Sequence, residues 1–274
     1  MSTSWAGRRL LVVVAHPDDE TFGCGSLIAD AAAAGARVTV CCATRGEAGE
    51  TAQGCDLRGR PLADVRVEEL QAAGRALGAA EPVLLDFVDS GMTGDASEET
   101  LFAAPFDSVV EAVTQVVADV DPDVVVTLDP TGGDGHRDHV RIAQATVEAV
   151  RRSARVDASL YCWCVPRSLL TRWLQRLTES RPDSGHLELE PAELGRPDDE
   201  ITTVIDVGHH LALRRKAMAL HASQRSPLDD MPEDLADTFL RFDRLVRIQP
   251  PWGGGAVETE IYVPDGGTAS SLIC

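Results

Sequence analysis

Leu10-Leu11-Val12-Val13-Val14-Ala15-His16-Pro17-Asp18-Asp19-Glu20 decides how the chain is read. The apolar run is too short for a core helix and shows no polar alternation, so it predicts a strand buried on both faces. That strand ends by delivering a histidine and three carboxylates within five residues, with a proline fixing the bend. Carboxylates are costly at the edge of a core unless they are paired or bind a metal. Residues 16–20 are therefore a candidate reaction centre.

Working outward, the same strand pattern returns at 37–44, 82–87, 123–128 and 158–164. Helical patterns separate the strands at 20–34, 62–77, 106–120 and 138–153, with Gly35 and Gly78 placed as C-terminal stops. A helix is expected at 169–177, a charged surface excursion at 180–200, and a strand at 201–207. Helices at 211–223 and near 232–236, a strand over 238–248 and a short strand at 258–263 complete the reading. Alternation of buried strands with amphipathic helices predicts an α/β fold, a mainly parallel sheet with helices on both faces. Ligands of such sheets bind outside the carboxyl ends of the strands. Residues 16–20 follow the first strand there, and 129–139 follow the fourth. The polar loops 45–61 and 88–97 follow the second and third. Four loops thus converge on one edge. The expectation is one domain over 1–274, with a core of about 9–248 and a C-terminal extension at 249–274.

Composition narrows the classes. The chain has 274 residues, is 44% hydrophobic and carries a formal net charge of −19. Such a charge disfavours a nucleic-acid backbone or an anionic membrane as main partner. No apolar run is long enough to span a bilayer, and the start lacks a signal peptide's apolar stretch. The seven cysteines include no CxxC pair, so they read as reduced thiols of a cytoplasmic protein. A homo-oligomer is left open.

The second polar cluster is Asp134-Gly135-His136-Arg137-Asp138-His139. His136 and His139 stand three apart where a helix opens, so they share a face. With His16 and Asp19 they supply two or three imidazoles and a carboxylate. That is the donor set of a catalytic zinc site, which needs three protein ligands and an open position. Asp18 is left free to act as a base. A lone histidine at a strand end is ordinarily a satisfied polar contact, and a carboxylate pair before a helix is ordinarily an N-cap. The second cluster at an equivalent topological position turns the balance toward chemistry.

These two motifs, in this order and context, resemble the PIG-L/LmbE-like zinc-dependent N-acetylglucosaminyl deacetylases. The resemblance continues through Gly46-Glu47-Ala48-Gly49-Glu50 and Arg66-Val67-Glu68-Glu69-Leu70. It extends to Asp89-Ser90-Gly91-Met92, similar to the mycothiol-pathway branch, and to Ala219-Leu220-His221-Ala222-Ser223-Gln224. Coverage is about 9–224. The resemblance implies a Rossmann-like fold and hydrolysis of an N-acyl amide, N-acetyl by expectation, on an aminosugar-containing small molecule. It implies His16, Asp19 and His139 as ligands of zinc, or of ferrous iron. Asp18 would be the general base toward the attacking water. His136 would stabilise the oxyanion or protonate the leaving amine, with Asp138 orienting it. Arg66 and Asp89 would contact the sugar or its aglycone, with Glu47 on the same substrate side. His221 is either a further substrate contact or a helix-packing residue.

Two departures bear on the substrate. Asp134 stands where mycothiol-branch enzymes carry a tyrosine, and an ionised aspartate cannot donate a hydrogen bond to a carbonyl oxygen. Asp134 then either binds a substrate hydroxyl or amine, or caps the turn. Arg214, not Lys216, occupies the family's basic position. Two other classes compete. A metal-dependent phosphoesterase would want more convergent carboxylates and a phosphate cradle, and neither G-x-x-x-x-G-K-[ST] nor G-x-G-x-x-G occurs. A non-catalytic module that binds metal or sugar would have no use for Asp18 beside Asp19.

Overall fold

The computed structural model describes residues 5–94, 96–131, 133, 135–153, 157–180, 194–226, 228–229 and 231–264. Strand β1 (Arg9–Val14) leads through helix α1 (Asp19–Ala33) to β2 (Arg37–Thr44). Helix α2 (Leu62–Leu77) follows, then β3 (Val83–Phe87), α3 (Phe106–Val120) and β4 (Val124–Thr127). Helix α4 (Arg137–Arg152) precedes β5 (Ser159–Trp163) and α5 (Arg167–Ser180). The chain closes with β6 (Thr203–Asp206), α6 (Leu211–Met218), α7 (Glu233–Arg241) and β7 (Phe242–Gln249).

These strands form one sheet in the order β3-β2-β1-β4-β5-β7-β6. The first five run parallel, with Val14 beside Cys42 and Val13 beside Thr127. Strand β7 is antiparallel to both β5 and β6. The apolar run of β1 explains its central place, since Leu10 to Val14 are all buried. From β1 the chain steps one way to β2 and β3, then returns through α3 and steps the other way from β4 to β5. Right-handed crossovers put helices of opposite steps on opposite faces. Accordingly α1, α2 and α6 pack together, and α3 packs with α4. Where the connections of β1 and β4 diverge, a crevice opens at the carboxyl ends, the usual ligand position of such sheets. Among the described residues no helix is long and apolar enough to cross a membrane.

Several expected elements shift. Residues 238–241, expected as strand, complete α7, because Leu235, Ala236, Phe239 and Leu240 fall on one buried helical face. The helix expected to 223 ends at Met218, and hydrogen-bonded turns carry the chain to Gln224. The short strand at 258–263 reduces to one bridge between Thr203 and Glu258. Most of the expected excursion, 181–193, lies outside the described residues, as does the tail from 265.

Helix α1 is broken at Cys24, whose φ of −145° and ψ of 31° are not helical. The break leaves backbone groups that need partners. Arg214, in α6, supplies them. Its Nε donates to Thr21 O (3.0 Å), its Nη2 to Gly23 O (3.0 Å) and Phe22 O, and its Nη1 to Leu240 O (2.9 Å). Asp243 of β7 accepts from Arg214 Nη1 (2.7 Å) and from Leu27 N–H beyond the break (3.0 Å). Both side chains are fully buried. Removing one partner of such a pair leaves an uncompensated buried charge. Asp243→Ala should therefore lower unfolding stability by about 3–5 kcal/mol. In urea unfolding, the doubly apolar Arg214→Met/Asp243→Leu should lose clearly less.

Candidate active site

Loop 15–18 and the first turn of α1 bring Asp18, Asp19 and Glu20 beside His16. The loop after β4 and the start of α4 bring His136, Asp138 and His139 across the crevice. His16 Nδ1 lies 3.2 Å from His139 Nε2 and 3.6 Å from Asp19 Oδ2. His139 Nε2 lies 3.2 Å from Asp19 Oδ1. Two imidazole nitrogens and the Asp19 carboxylate, which turns Oδ2 to His16 and Oδ1 to His139, thus draw together. Around a tetrahedral ion with bonds of about 2.0–2.1 Å, ligand atoms sit about 3.3 Å apart. The donor set and its spacing fit a zinc-sized dication. His136 forms a second three-ligand group with His16 and His139, its ring edge-on to His16 at 4.6 Å and stacked on His139 at 4.8 Å between centroids.

The ligand candidates are fixed from behind. Asp19 Oδ2 accepts the backbone N–H groups of Ala15 (3.2 Å) and His16 (2.8 Å). The other nitrogen of His16, Nε2, lies 3.4 Å from both Asp138 Oδ2 and Asp89 Oδ1. Carboxylates behind a histidine set its tautomer and raise its basicity as a ligand. Burial works against charge on His16, but Asp138, Asp19 and Asp89 outweigh it and hold its pKa well above the usual histidine value. Burial likewise opposes ionisation of Asp19, yet His139 and His16 hold its carboxyl well below the usual range.

Asp18 does not cap α1 with its side chain. Its backbone N–H donates instead to Glu20 Oε2 (2.9 Å), and its carboxylate meets Arg66 Nη2 (3.1 Å). Burial pushes its carboxyl up to about 6, with Arg66 opposing, Asp19 adding, His221 opposing and Glu20 adding. A dication on the adjacent ligands would pull it down again. A value in this region suits a group that must take and return a proton near neutrality. The backbone of Asp18 has φ 119°, a conformation side-chain-bearing residues rarely adopt. Strain of this kind persists where the surroundings over-determine it. Here Asp18 O accepts from Thr21 N–H and Phe22 N–H, and Arg66 pins Pro17 O at 2.6 Å.

His136 Nδ1 accepts the N–H of Asp138 (3.2 Å) and so caps α4. A neutral imidazole with Nδ1 accepting carries its proton on Nε2. His136 is then a hydrogen-bond donor through that atom. Asp138 is expected to orient His136. The carboxylate turns to His16 and to the N–H of Ser90 (2.9 Å), and only the backbone of Asp138 serves His136.

The expected substrate contacts divide. Arg66 and Asp89, expected to contact the sugar or its aglycone, make most of their hydrogen bonds to protein, while Arg66 Nε is buried with no hydrogen-bond partner among the described residues. Arg66 is buried, and its Nη1 also donates to Gly46 O (2.8 Å). Gly46 has φ 68°, and a Cβ there would lie 2.4 Å from Arg66 Cζ, so glycine lets the loop lie on the guanidinium. Asp89 accepts from Ala48 N–H (3.2 Å) and Gly91 N–H (2.8 Å) while facing His16. Glu47 keeps a buried Oε2 with no hydrogen-bond partner among the described residues. His221 lines the cavity beside the site, and its Nε2 lies 2.8 Å from Glu20 Oε1. Asp134 lies outside the described residues.

Sequence reading missed the central parts of Glu20 and Arg214. Glu20 is fully buried and links Asp18 to His221. The available signal was a charged residue among the small and apolar residues of α1. His209 and His210 meet Asp30 near the other end of α1, at 3.1 and 3.5 Å.

The family model described as PIG-L, GlcNAc-PI de-N-acetylase, matches residues 11–150. A relative from Rhodococcus opacus (strain B4), named 1D-myo-inositol 2-acetamido-2-deoxy-alpha-D-glucopyranoside deacetylase, is 42% identical over 244 residues, covering 79% of this chain and 82% of that protein. The structure is similar to that of N,N'-diacetylchitobiose deacetylase from Pyrococcus horikoshii, with a TM-score of 0.59, 20% identity, and coverage of 88% of this chain and 84% of that one. It is also similar to the 4-carboxy-2-hydroxymuconate hydratase GalB from Pseudomonas putida KT2440, with a TM-score of 0.58, 19% identity, and coverage of 91% and 99%. At these identities the two structures show the fold alone.

The strain at Asp18 is directly measurable. Glycine tolerates the positive φ, so Asp18→Gly should be more stable than Asp18→Ala by about 1 kcal/mol. Equal urea midpoints for the two variants would show that the backbone there is unstrained.

Proposed function

Because the chain belongs to the PIG-L, GlcNAc-PI de-N-acetylase family, we propose that it hydrolyses an N-acetyl amide on an aminosugar-containing small molecule. The observation that carries this reading is the convergence of His16 Nδ1, His139 Nε2 and Asp19 within 3.2–3.6 Å, with Asp18 adjacent in the chain. His16, Asp19 and His139 would hold the metal, zinc or else ferrous iron. When bound, the ion supplies Lewis-acid polarisation of the amide carbonyl and a water acidic enough to be deprotonated near neutrality.

The chain's own residues supply the rest. Asp18 takes the proton of the attacking water, held toward the site by Arg66. His136, protonated on Nε2, donates to the oxygen on which negative charge develops, the kind of preorganised stabilisation that is usually the largest catalytic contribution. Proton return to the leaving amine falls to Asp18 or His136. Asp138 and Asp89 act through His16, and Arg66 acts through Asp18. The unpartnered Oε2 of Glu47 and the cavity-lining His221 are the residues proposed to meet the sugar. The same reading takes 1–274 as one domain, with its core at about 9–248, working in the cytoplasm, where free thiols stay reduced.

Amine release from N-acetylglucosamine glycosides by metal-loaded protein tests the reaction. Phosphate release from a generic phosphoester, or tight sugar binding with no turnover, would move the reading to a phosphoesterase or a binding module. Within it, His139→Ala should lose metal and turnover together, whereas Asp18→Ala should keep the metal and lose turnover. Asp138→Asn should weaken metal affinity by about 10–100-fold, the usual consequence of removing a ligand's carboxylate support. Competition with a chromophoric chelator reads that change.

A further inference from the structure

The site opens into a cavity of about 550 Å³ that begins at Asp18, Asp19 and His221. Beyond these groups most of its wall is apolar, with Phe22, Leu169, Trp173, Met218, Met231 and Phe239 among the lining residues. Leu169 and Phe239 belong to a hydrophobic cluster separate from the core around the sheet, and the other four pack against it. Within it Phe239 stacks on Phe22 with ring centroids 5.0 Å apart. Of the polar side chains that share the lining, Arg215 is engaged with Asp237, Gln224 with Ser223, Thr21 with Asp18 O, Ser226 with Leu228 N–H and Asp229 with Ser226 N–H, and Arg225 is engaged within the protein as well. A hydroxyl-rich group pressed against this wall would give up water without gaining partners, which is unfavourable. An alkyl or aryl group would gain from leaving water, and two methionines let the wall adapt to its shape.

We propose that this arm is a substrate subsite for an apolar alkyl or aryl group joined to the aminosugar, as its aglycone or as its acyl chain. The proposal rests on the amide-hydrolase reading above and adds the substrate's second part. It separates this chain from the relative named for an inositol glycoside, because inositol is a polyol. It also divides the molecule sensibly. The residues assigned to the reaction, His16 to His139, all fall within the segment that the family model matches. Five of the six wall residues lie beyond it, on α5, on α6, before α7 and on α7. The chemistry can therefore stay fixed while the wall sets what hangs from the sugar.

The test uses metal-loaded, full-length protein and two substrate series read by amine release. One series is N-acetylglucosamine with methyl, butyl, hexyl and octyl aglycones. The other is methyl glucosaminide carrying acetyl, butanoyl, hexanoyl and octanoyl groups. Each fully buried methylene is worth about fourfold. In one series kcat/KM should rise at least about tenfold from the shortest member to the six-carbon member; which series rises tells aglycone from acyl chain. Trp173→Gln and Leu169→Asn should each cut the long-to-short ratio severalfold, and a ratio is independent of how much protein is folded. Flat or falling kcat/KM in both series, with the short members turned over, would overturn the subsite and leave the reaction standing. If no member releases amine, the reaction itself is wrong. Calorimetric titration with the methyl and hexyl glycosides then decides the arm. Tighter binding of the hexyl compound keeps it as an apolar subsite, and equal binding overturns it.

Discussion

Everything at the site hangs on the charge pair buried behind it. Arg214 and Asp243 occupy the break in α1 and satisfy backbone groups on both sides of Cys24. An unbroken helix would carry Asp19 and Glu20 along one straight axis with the rest of α1. The break makes the first turn a separate unit, clamped to α6 and β7. Burial pushes Asp243's carboxyl upward, and Arg214 opposes that push. Two buried charges are expensive. The arrangement is tolerable because Arg214 meets four carbonyls and one carboxylate, while Asp243 also takes the N–H of Leu27. The price of a broken helix is met by residues nearly 200 positions away in the chain.

The crevice residues obey the same logic at closer range. Asp18, Asp19, Asp89 and Asp138 gather around His16, His136 and His139, a concentration of charge that a core edge tolerates only if each group has a partner. His16 is the hinge of the arrangement. One ring nitrogen faces Asp19 and His139, and the other faces Asp89 and Asp138. Arg137 secures the side that brings Asp89, since it donates to Ser90 O, Gly91 O (2.8 Å) and Gly94 O (2.8 Å) and lies over the Phe102 ring. The loop after β3 is thereby tied to the helix that carries His139. Asp18 remains the strained member, held between Arg66 and its own turn.

Much of this was legible beforehand. The Leu10–Val14 run could only be a central strand, and strand–helix alternation led to a parallel sheet with its ligand edge at residues 16–20 and 129–139. Pairing the two histidine clusters set His16 and Asp19 against His136 and His139, and the family resemblance singled out His139. What could not be read was orientation. Sequence says that Asp138 stands beside His139, but not that its carboxylate turns to His16 while its N–H serves His136. It says that Arg66 is basic, but not that Gly46 lies flat on its guanidinium. The strand expected at 238–248 failed at its start for a related reason. Short apolar runs fit either period until a partner is chosen, and Phe239 and Leu240 found theirs against α1 and α5 rather than in the sheet.

That last misreading concerns the part of the molecule that walls the cavity. Residues 238–241 are helix because a second apolar cluster, rather than the sheet, takes the side chains of Phe239 and Leu240. The cluster has to stay open on one side, since its inner wall is the cavity wall. A parallel sheet supplies carboxyl-end loops for chemistry but little apolar surface facing the crevice, because its own hydrophobic residues are covered by helices on both faces. An enzyme of this fold that must hold an apolar group next to its reacting amide has to build that wall from added helices. Helices α5 and α7, set against Phe22 one turn beyond Asp18, supply apolar surface of this kind. Phe22, which stacks on Phe239 of α7, stands in the turn whose carbonyls Arg214 holds, so the Arg214–Asp243 pair braces both the turn that carries Asp18 and Asp19 and the start of the apolar wall.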